Sequence, residues 1–336
     1  MSRILVTGGS GFIGSALVRQ LLKAGNQVRV FDNNFRGSHR RLADFATDVE
    51  FIQGDIRDAE SVGHAANGVD EVHHLAFVNG TSYFYEVPEL VLDVGVRWMI
   101  NVIDACRRRN VPTLILASSS EVYQSALKVP TDESAVLTIP DPLNPRYSYA
   151  AGKLISEVMA INFGGKFFER VLIFRPHNAY GPDMGFEHVI PEFAVRLKDL
   201  AATHREGPLS FKIQGTGEET RSFCFVDDLI AGIMIMREKG EHLGIYHVGT
   251  MEKVKIADLA RRMGRLAGHE VELIFGTPAA GGTTRRCPDI SKLTQLGYSA
   301  CQPTRGPLKN TIARRFGANI HSLRRRLADE YFGKIL

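Results

Sequence analysis

Tyr149 and Lys153 stand four residues apart in "YSYAAGK", a spacing that puts both side chains on one face of a helix. An ammonium beside a phenol favours the phenolate and lowers its pKa, giving a general base for a hydroxyl near neutral pH. The run Ser118-Ser119-Ser120-Glu121-Val122-Tyr123 follows the apolar segment from Thr113 to Ala117, so a serine at that strand end can hold the same hydroxyl. Taken alone, the spacing is common by chance and reads as the start of an amphipathic helix. Its meaning depends on what the neighbouring elements hold.

The opening "MSRILVTGGSGFIGSALVRQLLKAGNQVRVFDN" supplies a partner. Ile4 to Val6 reads as a buried strand, Ser15 to Lys23 has apolar residues at helical spacing, and Gly25 is its stop. Gly8, Gly9, Gly11 and Gly14 therefore lie in a strand-to-helix turn, and the next strand, Gln27 to Asp32, ends in an acid. This is the pattern of a dinucleotide-binding βαβ unit: small residues let a pyrophosphate approach backbone N–H groups at a helix N-terminus. Asp32 would accept hydrogen bonds from the adenosine ribose and repel a 2′-phosphate, which favours NAD over NADP.

Further along, strand and helix signals alternate: Val49 to Gln53 before "GDIRD", Glu71 to Ala76, a helix from Glu89 to Arg108, Thr113 to Ala117, a helix from Tyr149 to Phe163, and Val171 to Arg175. The expected fold class is α/β, a Rossmann-type doubly wound parallel sheet with a smaller C-terminal α/β substrate lobe. The boundary is placed near residue 180: residues 1–180 form the NAD-binding domain, to which some later segments return, and residues 181–336 mainly the second lobe. That lobe has irregular connections at Asp183 to His188 and Thr277 to Thr284, and helices at Val189 to Leu200, Val226 to Lys239 and Ile256 to Ala267. His321 to Leu336 reads as an amphipathic helix.

Composition narrows the function classes. With 41 basic and 37 acidic residues among 336, the mild positive balance does not indicate nucleic acid, and the clusters at Arg107 to Arg109 and Arg324 to Arg326 read as solvated helix faces. Cys106, Cys224, Cys287 and Cys301 are scattered, without metal-ligand spacing, which suits reduced thiols and no metal site. No apolar run approaches a membrane span and no secretory leader is read, so a soluble, cytoplasmic protein is expected.

Nine segments in order, "VTGGSGFIGSALV", "GDIRD", "HHLAF", "SSSEVY", "YSYAAGK", "RPHNAYGP", "GTGEETRSFCFVDD", "YHVG" and "RRCPDISK", resemble the extended short-chain dehydrogenase/reductase superfamily, specifically its nucleotide-sugar epimerase, dehydratase and decarboxylase group. The resemblance covers almost the whole chain. It implies that Gly8, Gly11, Phe12, Ile13 and Gly14 bind NAD, that Asp55 and Ile56 flank the adenine, and that Leu75 and Ala76 line the cofactor. Ser119, Tyr149 and Lys153 would be the catalytic triad, with Lys153 also touching the nicotinamide ribose. Asn178, Arg221 and Arg286 would serve the substrate pyrophosphate, with Arg285 a second candidate, while Tyr123, Tyr147, His177 and His188 read as structural. The partners implied are a nucleotide-sugar substrate and a second copy of the chain, joined through the helices at Glu89 to Arg108 and Tyr149 to Phe163. A role in polysaccharide biosynthesis would follow.

In that group Tyr149 would take the C4 hydroxyl proton as hydride leaves C4, giving a 4-keto sugar. Ser120-Glu121 stands where 4,6-dehydratases carry Asp-Glu, so 4,6-dehydration is disfavoured; Ser120 would touch substrate and Glu121 would join the catalytic set. Ser-Glu with "SFCFV" is similar to UDP-glucuronate decarboxylases, but "RPHNAYGPDMG" and Gln124 depart from their pattern. Trp98-Met99 replaces the group's Gly-Thr. These features rank C4 epimerisation first, decarboxylation second and simple 4-dehydrogenation third, with a non-catalytic NAD sensor as the alternative of a different class.

Overall fold

The computed structural model describes residues 1–203, 206–278 and 281–300, together with Leu308 and Thr311. The Cys301 and tail-helix expectations, with Arg324 to Arg326, lie outside the described residues.

Seven parallel strands form the central sheet: β1 (Arg3–Thr7), β2 (Gln27–Asp32), β3 (Val49–Gln53), β4 (Glu71–His74), β5 (Thr113–Ala117), β6 (Arg170–Pro176) and, later in the chain, β11 (Gly244–Val248), in the order β3-β2-β1-β4-β5-β6-β11. Apolar side chains alternate between the two faces. Leu5, Leu114, Leu116, Val171 and Ile173 pack with one core, which takes in Val94, Val102, Ile103 and Ala160 of the helices α4 (Pro88–Arg108) and α5 (Ser148–Phe167). Ile4, Val6, Ile115, Leu172 and Phe174 face the other, packed against α1 (Phe12–Lys23) and α7 (Val226–Lys239). A sheet covered on both faces needs such continuous apolar strands.

The chain runs from β1 to β3 on one side and resumes at β4 on the other, so the strand order reverses between β1 and β4. In open α/β sheets the ligand crevice lies outside the carboxyl ends at such a point. The short helices α2 (Ala59–Ala65) and α3 (Thr81–Glu86) follow β3 and β4. The α4–α5 pair is close because both helices present glycine: a Cβ on Gly95 would lie 2.7 Å from Gly152 Cα and 3.0 Å from Phe77 Cζ.

Beyond residue 180, β11 is a strand of the large sheet and α7 packs on one face of it. The remaining elements surround a third core containing Phe193, Leu197, Phe211, Ile213, Leu259 and Met263. It is built from α6 (Val189–Thr203), α8 (Ile256–Leu266) and the parallel pair β8 (Leu209–Ile213) and β13 (Val271–Phe275). Two-residue pairings bind this layer to the crevice: β7 (Ala179–Tyr180) with β10 (Cys224–Phe225), and β9 (Thr220–Arg221) between β12 (Val254–Lys255) and β14 (Arg285–Arg286). The short helix α9 (Ser291–Gln295) closes the described segment. Among the described residues no helix is long and apolar enough to cross a membrane.

Helix α1 starts at Phe12, three residues before the periodic signal, because Gly11 is its N-cap and Gly14 already lies inside it. A Cβ on Gly14 would stand 2.1 Å from Gly8 O, a contact with backbone that cannot swing away. Gly14→Ala is therefore expected to lower stability by about 1–3 kcal/mol, read from the urea midpoint at unchanged m-value.

Candidate active site

A crevice of about 2100 Å³ opens at the carboxyl edge of the sheet, and its walls bring together most of the residues singled out above. The glycine turn forms one end. Gly8 is left-handed (φ 74°), and a Cβ there would lie 2.7 Å from Ala76 N, so this glycine is required by the turn's packing against the segment after β4. At Gly11 no side chain caps α1, and Gly11, Phe12, Ile13 and Gly14 line the crevice with the helix N-terminus. Uncapped amides at the positive end of a helix dipole suit a diphosphate.

Asp32 accepts the Ser10 N–H at 3.0 Å and the Asn34 N–H at 2.8 Å, which orients the carboxylate at the end of β2 and leaves lone pairs for ribose hydroxyls. Burial pushes the Asp55 carboxyl up, but hydrogen bonds from Arg57 and Asn33 outweigh it and hold the group below its ordinary value. Ile56, Leu75 and Ala76 line the same wall. Trp98 lines it too, with the Arg57 guanidinium 5.5 Å from its ring centroid, while Met99 turns into the core. The Trp-Met in place of Gly-Thr thus supplies an aromatic wall. The turn residues, Asp32 and this wall fit a dinucleotide.

At the other end, Tyr149 is buried with its ring stacked on Phe84 (centroids 4.9 Å apart) and edge-on to Phe77 (5.1 Å). Ser119 accepts the Glu121 N–H at 3.2 Å, which caps the turn from Ser120 to Tyr123, and its hydroxyl hydrogen-bonds the Tyr149 phenol. Lys153 donates to Ala117 O at 2.6 Å and lies 3.9 Å from the Phe77 centroid. This corrects the simple pairing expected from the spacing: burial pushes Tyr149 up to about 12, with the Ser119 hydrogen bond opposing, and burial brings Lys153 down to about 7. The helical spacing put both groups on one face, as expected, but the ammonium is turned to a strand carbonyl behind the phenol.

Glu121 and Arg286 meet across 165 residues of sequence, Nη1 to Oε1 at 2.5 Å, and Arg286 Nη2 also donates to Thr283 Oγ1 at 2.9 Å. Burial pushes Glu121 up, but Arg286, then the charges of Arg146 and Arg221, outweigh it and hold the carboxyl below its ordinary value. Ser120, Asn178 and Arg286 line the crevice. Arg221 is not among the lining residues: its guanidinium is turned to Thr220 O (2.9 Å) and Thr283 O (2.7 Å), beside Arg286 in the β9–β14 pairing. Arg285 is exposed and His177 is buried, whereas His188 lines the crevice, brought down to about 4 by burial and by Arg36. Arg36–Glu187 and Arg40–Asp183 (3.3 Å) tie the connection after β2 to the loop before α6 across the opening. Sequence reasoning missed Arg146, Phe77, Phe84 and Arg36 as lining groups. For Arg146 a signal existed, its place three residues before Tyr149.

The parallel sheet with its glycine turn, a serine just beyond β5, and a tyrosine and lysine on the first turns of α5 define a dinucleotide-dependent enzyme of the short-chain dehydrogenase/reductase type. Residues 4–249 match the model of the NAD dependent epimerase/dehydratase family. The chain belongs to that family, and NAD is its cofactor. Among curated relatives, UDP-glucuronic acid decarboxylase 6 of Arabidopsis thaliana is 31% identical over 300 residues, covering 88% of this chain and 82% of the relative. UDP-glucuronic acid decarboxylase 1 of the same plant is 30% identical over 294 residues, and the match spans 86% of this chain but 64% of that longer protein. Among solved structures, the UDP-glucose 4-epimerase of Thermus thermophilus, in complex with NAD, superposes with a TM-score of 0.81 at 26% identity, covering 94% of this chain and 100% of the other.

Trp98 is the one tryptophan of the sequence, which makes this wall of the crevice spectroscopically addressable. Titration with NAD is expected to change its emission, and an unchanged spectrum alongside calorimetric binding would place the cofactor elsewhere. NADP is expected to bind more weakly, and Asp32→Ala to narrow the difference; equal calorimetric affinities in the unmutated protein would contradict the role given to Asp32.

Proposed function

We propose that this chain acts on a nucleotide-linked hexuronic acid, oxidising C4 and removing the C5 carboxylate as carbon dioxide, with UDP-glucuronate as the first substrate to test. The observation that carries the reading is the Glu121–Arg286 pair in the crevice wall, two residues beyond the Ser119 that touches Tyr149. Burying an ion pair is weak evidence for stability, because desolvation consumes most of the attraction. At a substrate crevice it supplies what decarboxylation needs. A guanidinium can orient the departing carboxylate, and a neighbouring carboxylate and guanidinium can govern the proton returned to C5. The decarboxylase relatives support the same reading, which moves decarboxylation ahead of epimerisation in the order drawn from sequence.

Tyr149, held as the phenol by burial, would accept the C4 hydroxyl proton once it has lost its own, a loss that the positive charges of an oxidised nicotinamide and of Lys153 would favour. Ser119 would donate to the oxygen as it becomes a carbonyl. The glycine turn and Asp32 would hold NAD, which when bound would supply the acceptor for the C4 hydride and its later return. The ketone is β to the carboxylate, so the C5–CO2 bond can break with its electron pair entering the C4–C5 enolate. Ser119 would stabilise that enolate oxygen, and Arg286 and Arg146, which line the same crevice, would face the departing carboxylate. C5 is then reprotonated.

The likeness to the UDP-glucose 4-epimerase supports a second reading, in which the ketone rotates and takes the hydride on its other face. Glu121 separates the two. Tyr149→Phe is expected to lower kcat by about 100- to 10,000-fold in either case while retaining NAD. Glu121→Gln is expected to cut carbon dioxide release at least about tenfold with C4 oxidation still visible as NADH absorbance. Conversion of UDP-glucuronate at constant mass, indifferent to Glu121→Gln, would establish the epimerase instead. NAD binding without turnover of any nucleotide sugar would favour a sensor.

A homodimer is also proposed. Leu92 and Ile100 of α4 and Ile155 and Val158 of α5 are exposed on two helices that lie side by side, an apolar surface suited to the same surface of a second copy. Sedimentation is expected to give twice the chain mass, and Ile155→Lys with Val158→Glu to give the monomer.

A further inference from the structure

We infer that Glu157 is a positioning residue whose carboxylate favours the ammonium form of Lys153 and holds the Ser118-Ser119 strand end against Tyr149. The inference rests on the reading of Tyr149 and Lys153 as catalytic groups. Glu157 lies one helical turn beyond Lys153 on α5, is buried, and does not line the crevice. Its Oε1 accepts from Arg175 Nε at 2.8 Å and from the Ser118 hydroxyl, and its Oε2 accepts from Arg175 Nη2 at 2.5 Å. The carboxylate therefore grips the residue next to Ser119, while Ala117, one residue earlier, receives the Lys153 ammonium.

Arg175 is in turn fixed from behind. Its Nη1 donates to Glu133 O at 3.2 Å and to the Tyr123 hydroxyl. That hydroxyl, already an acceptor, directs its own proton to His247 Nε2 at 2.7 Å, so His247 Nδ1 carries the hydrogen donated to Asp289 O at 3.0 Å. Tyr123 ends the turn that carries Glu121, and Asp289 lies three residues beyond Arg286, so one directed chain of hydrogen bonds links the supports of both reactive pairs.

The groups around Lys153 identify Glu157 as its counter-charge. Tyr149 on α5 is buried and held as the phenol, and Arg175 on β6 is a cation already engaged by Glu157. His74 at the end of β4 is bonded to Thr7 Oγ1 and brought down to about 3 by burial and by Lys153, so it is neutral. Burial drives Lys153 toward the free amine, and the Glu157 charge opposes it.

The test needs no substrate. In protein labelled with 13C-lysine, the Lys153 Cε resonance is assigned by its absence in Lys153→Met and titrated against pH. Glu157→Gln removes the anion and is expected to lower the Lys153 midpoint by about one pH unit or more. Glu157→Asp, which keeps the charge, should remain nearer the unmutated value, and Ser118→Ala should leave the midpoint in place. If Glu157→Gln does not fold, Arg175→Gln serves: removing the neighbouring cation should raise the midpoint. An unmoved Lys153 in the charge variants, or equal effects of the Asp and Gln variants, overturns the inference. In turnover with UDP-glucuronate, the alkaline limb of kcat/KM should move to lower pH in Glu157→Gln, since the ammonium is lost earlier. Absence of turnover in the unmutated protein would refute the functional reading and leave the resonance result standing.

Discussion

Buried charge is the constraint around which this molecule is organised. An ion taken out of water costs several kcal/mol unless partners restore what hydration supplied, and this chain buries Lys153, Arg175, Glu157 and Arg286 and half-buries Glu121 at the crevice wall. Each is answered by a group from a distant part of the chain. Arg175 on β6 answers Glu157 on α5, Arg286 on β14 answers Glu121, and the carbonyl at the end of β5 answers Lys153. Strand order and helix packing are fixed by apolar alternation. The charges then select, among the ways those layers could be closed, the one in which every buried ion has its partner.

The parts legible in the sequence are those whose signal is local. The glycine turn, Asp32 and the Tyr149–Lys153 spacing each lie within one or two elements, and the apolar runs of the sheet announce themselves by length and flanking turns. Helix α5 runs beyond its expected end at Phe163 to Phe167 because Gly164 and Gly165 are accommodated in the helix; Gly164 lies under Val171, where a Cβ would be 2.6 Å from Val171 Cγ2.

What was not legible depends on distance or on elements too short to carry a period. A two-residue strand such as β9 has no alternation to show which side chain faces the crevice, so nothing in "TRSF" distinguishes an arginine that enters from one that turns to Thr283 O. The phenylalanines around Tyr149 come from the segment after β4 and from α3, and their role exists only once those elements cross the start of α5. The lowering of the Tyr149 pKa expected from spacing is a different kind of miss. Helical geometry placed the lysine correctly, but burial acts on both groups and the ammonium had a carbonyl to satisfy.

The first turns of α5 have little room left to change. Tyr149 and Lys153 face the crevice, Gly152 meets Gly95 of the adjoining helix, the Ser156 hydroxyl donates to Gly95 O at 2.6 Å, and Glu157 holds Arg175. Five of nine consecutive positions are committed to contacts that tolerate no other side-chain volume or charge. New sugar preferences in descendants of such a chain must therefore arise on the segments that carry Glu121, Arg146 and Arg286. On the proposed reading, the groups that would move hydride and proton stay constant while the reaction that would follow the ketone is exchanged around them.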